Sequence, residues 1–392
     1  MKTIIFTLIS LCFTTMLQAQ VSKTANVTAG NLKTVLTAEE LNTVSSLTLT
    51  GNIDARDFKT IRDDMPLLAE IDLCQVTVVA YSGFEGTEPN QKDYPGNTIP
   101  AYAFYDQTTF MSKLGLRTIL LPNSVTSIGN FSFYKCSGLT SLSIPVSVIT
   151  VRYMAFYGCS GLASTSIGPN VYTIGDYAFC ESGGSFTVDP ENTRFSGFDG
   201  VLFNKEKTVL IQCPATKMGN YDIPATVTSI GNGAFWGCNF TSINTHSLVP
   251  IDLSFSSNVF KSVDKTTCIL YVPVGTKSLY IEANQWKDFA NIVELSTEFQ
   301  LSSTVINVEA AAGSAATVSI TINGFVAWTA SSDQAWLTVN PGSGTGDHTL
   351  TFTSEANSSH ASRKAQVTVS AAGIDSQIIY VTQDGINTPL NI

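Results

Sequence analysis

The side chains able to do chemistry in this chain are few, and their spacing argues against catalysis. Carboxylates stand together at Asp63-Asp64 and at Asp189 and Glu191. A glycosidase needs two such groups facing each other across a cleft, and nothing in the sequence pairs these. The three histidines, His246, His348 and His360, form no HExxH pair. His348 and His360 lie near turns and read as surface residues. There is no G-x-S-x-G elbow and no Walker loop. Of eight cysteines, Cys12 falls in an apolar leader. The rest, Cys74, Cys136, Cys159, Cys180, Cys213, Cys238 and Cys268, contain no CxxC pair, so no zinc site is expected. Their number is odd, which excludes a fully paired disulfide framework. Asp189-Pro-Glu-Asn192 lacks the alternating oxygens of a calcium loop. The expectation is a non-catalytic protein without metal or cofactor.

Aromatic and small polar residues point to binding instead. Tyr105, Tyr134, Tyr157 and Trp236 each directly follow a phenylalanine at a recurring position. If the phenylalanines point inward, these neighbours form an outward stripe able to stack on sugars or anchor a protein. The alternative is that they pack on adjacent turns and merely cover the fold. Ser141 and Ser164 share one column with Thr118 and Asn220. Ser143 and Ser166 share another with Leu120 and Asp222. Such a flat polar face suits hydrogen bonding to a partner, or is simply solvated. Trp336 is a candidate sugar binder or a packing residue. Trp328, beside Phe325 and Val326, reads as core.

These positions recur because the chain repeats. Leu116–Gly138, Leu139–Gly161 and Leu162–Gly184 align without a gap, and Met218–Phe240 is a further copy. Ser185–Lys217 is an insert with a hairpin turn near Asn204–Lys207. Each unit offers a short strand, a second apolar pair and a half-turn carrying Phe and Cys. One unit cannot bury these groups alone; stacked units bury them in columns. Phe104, Phe133, Phe156, Phe179 and Phe235 form one expected column, and Ile128, Val151, Ile174 and Ile230 another. Cys136, Cys159 and Cys238 read as a buried, reduced ladder. Thr37-Ala-Glu-Glu40 opens a capping helix, Asp54 caps a second, and a helix through Tyr280, Ala283 and Trp286 closes the far end.

Lys2, the apolar run Ile4–Met16 and the small residue Ala19 read as a signal peptide cleaved before Gln20. No later segment is apolar enough to span a bilayer. The charged fraction is 13% and the formal charge −10, which becomes −11 without Lys2. That excess argues against nucleic acid and anionic membranes as partners.

The consensus I-G-x-x-A-F-x-x-C-x-x-L-x-x-I-x-I-P-x-x-V-x-x-I resembles the BspA-like leucine-rich repeats. The resemblance implies surface display and binding to host-matrix proteins or neighbouring cells. From about Ser296 the pattern changes to short alternating strands, about seven in number, with turn signals between them, as in an immunoglobulin-like sandwich. There Trp328-Thr-Ala-Ser-Ser-Asp333, Trp336-Leu-Thr-Val-Asn-Pro-Gly-Ser-Gly344 and Val381-Thr-Gln383 resemble the BACON domain (Bacteroidetes-associated carbohydrate-binding, often N-terminal). That resemblance implies a carbohydrate-binding module or a spacer. Here it is C-terminal, a departure from the family's usual place.

The expected architecture is mainly β. It comprises a signal peptide at 1–19, a leucine-rich-repeat solenoid with short helical caps at 20–295, and an immunoglobulin-like β-sandwich at 296–392. The expected protein is exported to the cell surface or medium, with the periplasm as the alternative. It is a monomer that binds proteins of matrix or neighbouring cells, or glycans and mucin.

Overall fold

A computed structural model describes residues 20–295, 299–322, 326–371 and 374–386. The expected signal peptide lies outside the described residues, as does Asn323-Gly324, one of the expected turns between the short strands. The chain forms two compact units. One comprises residues up to Gly219 with Thr226–Phe240 and Leu253–Val263. The other comprises Asn220–Ala225, Thr241–Asp252 and the chain from Asp264 onward.

The first unit begins with long parallel strands. Ser22–Val27 pairs with Ser46–Ile53, which pairs with Glu70–Val78, which pairs with Thr118–Leu120. Three helices lie between them in the chain, Leu32–Val35, Ala38–Thr43 and Ala55–Asp63. The second and third start with a capping box, Thr37 with Glu40 and Asp54 with Asp57, so orphan amides at both N-termini are satisfied. Phe58, Ile61 and Met65 are fully buried beneath the strands.

Beyond Thr98 one sheet of the solenoid shortens to two paired residues per rung. Thr98–Ile99, Ser127–Ile128, Thr150–Val151 and Thr173–Ile174 run parallel in register. Inside, the ladder phenylalanines stack face to face: Phe104 on Phe133 at 4.7 Å, Phe133 on Phe156 at 4.9 Å, and Phe156 on Phe179 at 5.4 Å. Rungs about 4.8 Å apart impose that spacing. The expected columns need one correction. Ile230 pairs beside Leu210, not Ile174, and Phe235 stacks on Phe260 at 5.5 Å. The insert supplies the intervening strands: Val201–Asn204 and Val209–Gln212 form an antiparallel hairpin.

The cysteine ladder follows the phenylalanines. Cys136, Cys159 and Cys238 are buried and none is in a disulfide. The Cys159 thiol donates to the Phe133 carbonyl, and Ser182 donates to that of Phe156 from the equivalent place. Gly161 closes the turn after Cys159 tightly. A Cβ there would meet the Ser137 carbonyl oxygen at 2.2 Å, so the close rung approach requires glycine.

In the second unit Ser242–Asn244 pairs with Ile269–Tyr271, and Ile269–Val272 with Asn291–Glu294, all parallel. The closing helix is shorter than expected. Lys277–Tyr280 ends, and Gln285 adopts a left-handed conformation (φ 64°) before a 3-10 turn at Trp286–Asp288. A left-handed residue stops helix propagation, yet Tyr280 and Trp286 are both buried. Further on, Ala315–Ile322 joins Phe299–Leu301 and His348–Ser354, with Leu337–Asn340 at the edge. A five-stranded sheet orders Val305–Val308, Ile374–Gln383, Arg363–Ala371, Ala327–Ser332 and Ser343–Thr345. The two sheets share one core around Val318, Trp328, Leu350, Phe352, Val367 and Ile379. Nine strands are present there among the described residues, rather than about seven, because the edge strands are too short to show alternation.

Candidate binding surface of the repeats

The aromatic residues after the ladder phenylalanines do not stand outward one by one. Tyr105, Tyr157 and Trp236 are buried and Tyr134 is half-buried. They form a second stack, with Tyr105 and Tyr134 at 4.7 Å, Tyr134 and Tyr157 at 5.0 Å, and Trp236 edge-on to Tyr157 at 5.4 Å. Of the two readings the sequence left open, the structure gives the one in which these rings pack on adjacent turns, and not the outward stripe. Rungs this close force neighbouring rings into contact, and contact removes their faces from water. Cys180, which interrupts the sequence series, fills the same layer beside Tyr157 and Trp236.

An outer aromatic row covers that layer. Tyr102 stacks on Phe131 at 5.0 Å, Phe131 meets Tyr153 edge-on at 5.4 Å, and Tyr153 meets Tyr177 at 6.0 Å. Tyr177 also meets Trp236 edge-on. Tyr153 is exposed; Tyr102, Phe131 and Tyr177 are half-exposed. Sequence reasoning passed over this row. Its signal is an aromatic two places before the ladder phenylalanine at Tyr102, Phe131 and Tyr177. In the remaining repeat Met154 holds that place and the ring moves to Tyr153. These places have positive φ: 59° at Tyr102, 55° at Phe131, 50° at Met154 and 57° at Tyr177. Bulky residues seldom adopt that conformation, so a propensity reading assigns such places to glycine, as Gly233 does (φ 61°).

Charges rim the surface. The Trp236 indole donates to Glu181 at 2.9 Å, and the Lys261 ammonium lies 4.0 Å from the Trp236 ring centre. Burial, then the neighbouring Glu181, drives the Tyr157 phenol far above its usual range, so it stays a neutral hydroxyl.

The serine columns are exposed. Ser143 sits beside Ser166, which sits beside Thr187; Ser164 sits beside Ser185. Ser141, Ser143, Ser164 and Ser166 are all open to solvent. Asn220 and Asp222 fall in the second unit. There Asn220 accepts from Thr241 and Ser242, and Asp222 holds His246 through two contacts of 2.9 and 3.0 Å. Trp336 is half-buried with the Arg363 guanidinium 4.4 Å from its ring centre. Trp328 is buried and donates to the Gly346 carbonyl. His348 and His360 are exposed. Among the described residues, no three His, Cys, Asp or Glu side chains are grouped to hold a metal ion, and no helix is long and apolar enough to cross a membrane.

Parallel short rungs with stacked Phe and Cys columns define a leucine-rich-repeat solenoid. The sequence model of the BspA type leucine rich repeat region matches in six copies over residues 97–197 and 212–326. With more than half its length matched, the chain belongs to the BspA-type leucine-rich repeat family, whose members are typically extracellular surface proteins. Residues 296–385 match the viral BACON domain. The two matches overlap over 296–326, and the strands described there belong to the sandwich sheets. Both families are of the non-catalytic binding type.

Similar solved structures include a Bacteroides ovatus GH5 xyloglucanase in complex with a XXXG heptasaccharide. It shares 32% identity over 24% of this chain and 20% of that one, with TM-score 0.22. The pneumococcal vaccine antigen PcpA shares 18% identity over 58% and 50%, with TM-score 0.39. A leucine-rich repeat protein from Eubacterium ventriosum shares 18% over 62% and 61%, with TM-score 0.36. The chain thus spans between 20% and 61% of these proteins. No curated protein matches it.

Proposed function

We propose that this is an exported, non-catalytic adhesion protein, displayed at the cell surface or released, whose repeats (20–295) recognise proteins of a host matrix, mucin or neighbouring cells. With the division at 295/296, the C-terminal sandwich serves as a second binding unit or a spacer. The carrying observation is the outer aromatic row Tyr102–Phe131–Tyr153–Tyr177, partly exposed over four consecutive rungs. Aromatic rings of this kind supply large contact area at low entropic cost and dominate protein recognition. The exposed Ser141, Ser143, Ser164 and Ser166 add a polar face.

The test uses the chain from Gln20 to Ile392 against immobilised matrix proteins, mucin and a glycan array. Replacing Tyr153 and Tyr177 together by Ser is expected to weaken protein binding about tenfold or more, with Trp336→Ala unchanged. A second reading is supported by the half-exposed Trp336 under Arg363: a glycan-binding accessory of a polysaccharide-utilisation system. Binding to glycans alone, abolished by Trp336→Ala, would put that reading in its place.

A further inference from the structure

We infer that the first unit carries a groove for an extended polypeptide in the polyproline II conformation, anchored by an apolar residue at one end and read by Lys135 and Glu181 along its length. The inference rests on the protein-binding reading above and names the chemistry of the partner.

Two open cavities meet at Leu114. One, of about 500 Å³, is bordered by Arg62, Asp106, Met111 and Lys113. The other, of about 450 Å³, runs past Lys135, Ser137, Gly158, Ser160 and Glu181 to Gly237. The first exists because the opening repeat is longer than its successors. Eight positions separate Tyr105 from Lys113, against two from Tyr134 to Cys136. The extra residues form a hairpin, Tyr105–Asp106 against Met111–Ser112. Phe110 and Met111 stand 78% and 63% exposed on it, and Leu114 follows at 57%. Insertions into one repeat commonly serve the binding face. The second cavity exists because glycine alternates with charge at one recurrent left-handed position: Lys135 (54°), Gly158 (71°), Glu181 (54°) and Gly237 (87°). A Cβ on Gly158 would meet Lys135 Cγ at 2.9 Å; its absence leaves the space between the two charges open.

The occupant follows from charge and spacing. The Lys135 ammonium lies 5.5 Å from the Tyr134 ring centre and makes no ion pair among the described residues. Glu181 stands two rungs further, about 9.6 Å at 4.8 Å per rung. In polyproline II, residues i and i+3 share a face about 9.3 Å apart, which places an acid on Lys135 and a base on Glu181. A β-strand repeats its face every 6.8 Å or so and misses this spacing. Polyproline II also leaves its carbonyls free of internal hydrogen bonds, and the exposed hydroxyls of Ser137 and Ser160 can donate to them. Sugar stacking needs an open ring face. In the layer beside the groove ring faces are covered, at 12° for Tyr134 on Tyr157, and Lys261 covers Trp236.

Fluorescence anisotropy on the chain from Gln20 to Ile392 tests this with two labelled peptides. One reads leucine, two prolines, aspartate, two prolines, arginine, proline; the other exchanges aspartate and arginine. The first is expected to bind at least about tenfold more tightly. The double charge exchange Lys135→Glu with Glu181→Lys is expected to reverse the preference. Ser160→Arg, at an exposed position, is expected to abolish binding with Tm unchanged. Equal binding of both peptides, binding of neither, or unaltered binding to the Ser160→Arg protein overturns the groove. Matrix-protein binding that survives Ser160→Arg but falls with the Tyr153 and Tyr177 changes sinks the groove and leaves the adhesion reading standing. Peptide binding without any matrix or mucin binding does the reverse.

Discussion

Lys113 shows how much a single residue's environment matters. Its amide bonds to the Phe104 carbonyl as that of Cys136 bonds to Phe133, so it occupies the cysteine place of its rung. The side chain is buried, its ammonium donates to the Met65 carbonyl at 2.5 Å, and burial lowers its pKa to about 8. The unfolded value is 10.5. The folded state thus holds the proton less tightly. The stability difference is present above pH 10.5 and lost as pH falls to about 8. Lys113→Met removes that term. Its thermal stability relative to the native protein is expected to be greatest at pH 7, by about 2 °C or more in Tm, and to decline between pH 8 and 10.5. A difference that stays constant across that window would refute the linkage. Cys136 above it is pushed up to about 12 by burial, so it is a packing group with almost no thiolate at neutral pH.

At the scale of the element, stability is carried by the inner columns, and recognition is proposed for the outer row. Phe156 is fully buried between Phe133 and Phe179. Phe156→Ala is expected to cost about 3–5 kcal/mol in urea unfolding, as for other buried aromatics. Tyr153→Ala, at an exposed ring, is expected to cost less than about 1 kcal/mol. Comparable losses at the two sites would mean that the outer row is structural and not free to bind. The helical caps follow the sequence closely, because a capping box is a local device of four residues. The closing helix does not, since the left-handed Gln285 is tolerated only where buried Tyr280 and Trp286 compensate.

For the whole molecule, low charge and a net excess of acid favour the proposed recognition by shape, aromatic contact and a few placed charges. Export is expected from the leader, and the exported protein is expected to begin at Gln20 after cleavage behind Ala19. N-terminal sequencing of material recovered outside the cytoplasm checks this; an intact Met1 on that material would contradict it.

The sequence by itself determined the repeat, its family, the buried phenylalanine and cysteine columns and the change of pattern near Ser296. Each of these is a periodic or local property, and periodicity survives without knowledge of distant contacts. Tertiary structure decided what happens between and across rungs. It put Leu210 of the insert beside Ile230 and began a new stack at Phe235 and Phe260. It turned the residues after the ladder phenylalanines into an inner layer, and brought Tyr102, Phe131, Tyr153 and Tyr177 to the surface through left-handed backbone that pattern rules assign to glycine. It also lowered Lys113 into a cysteine's place. These outcomes depend on which side chains meet after stacking at about 4.8 Å, a distance set by hydrogen bonds between rungs far apart in the chain.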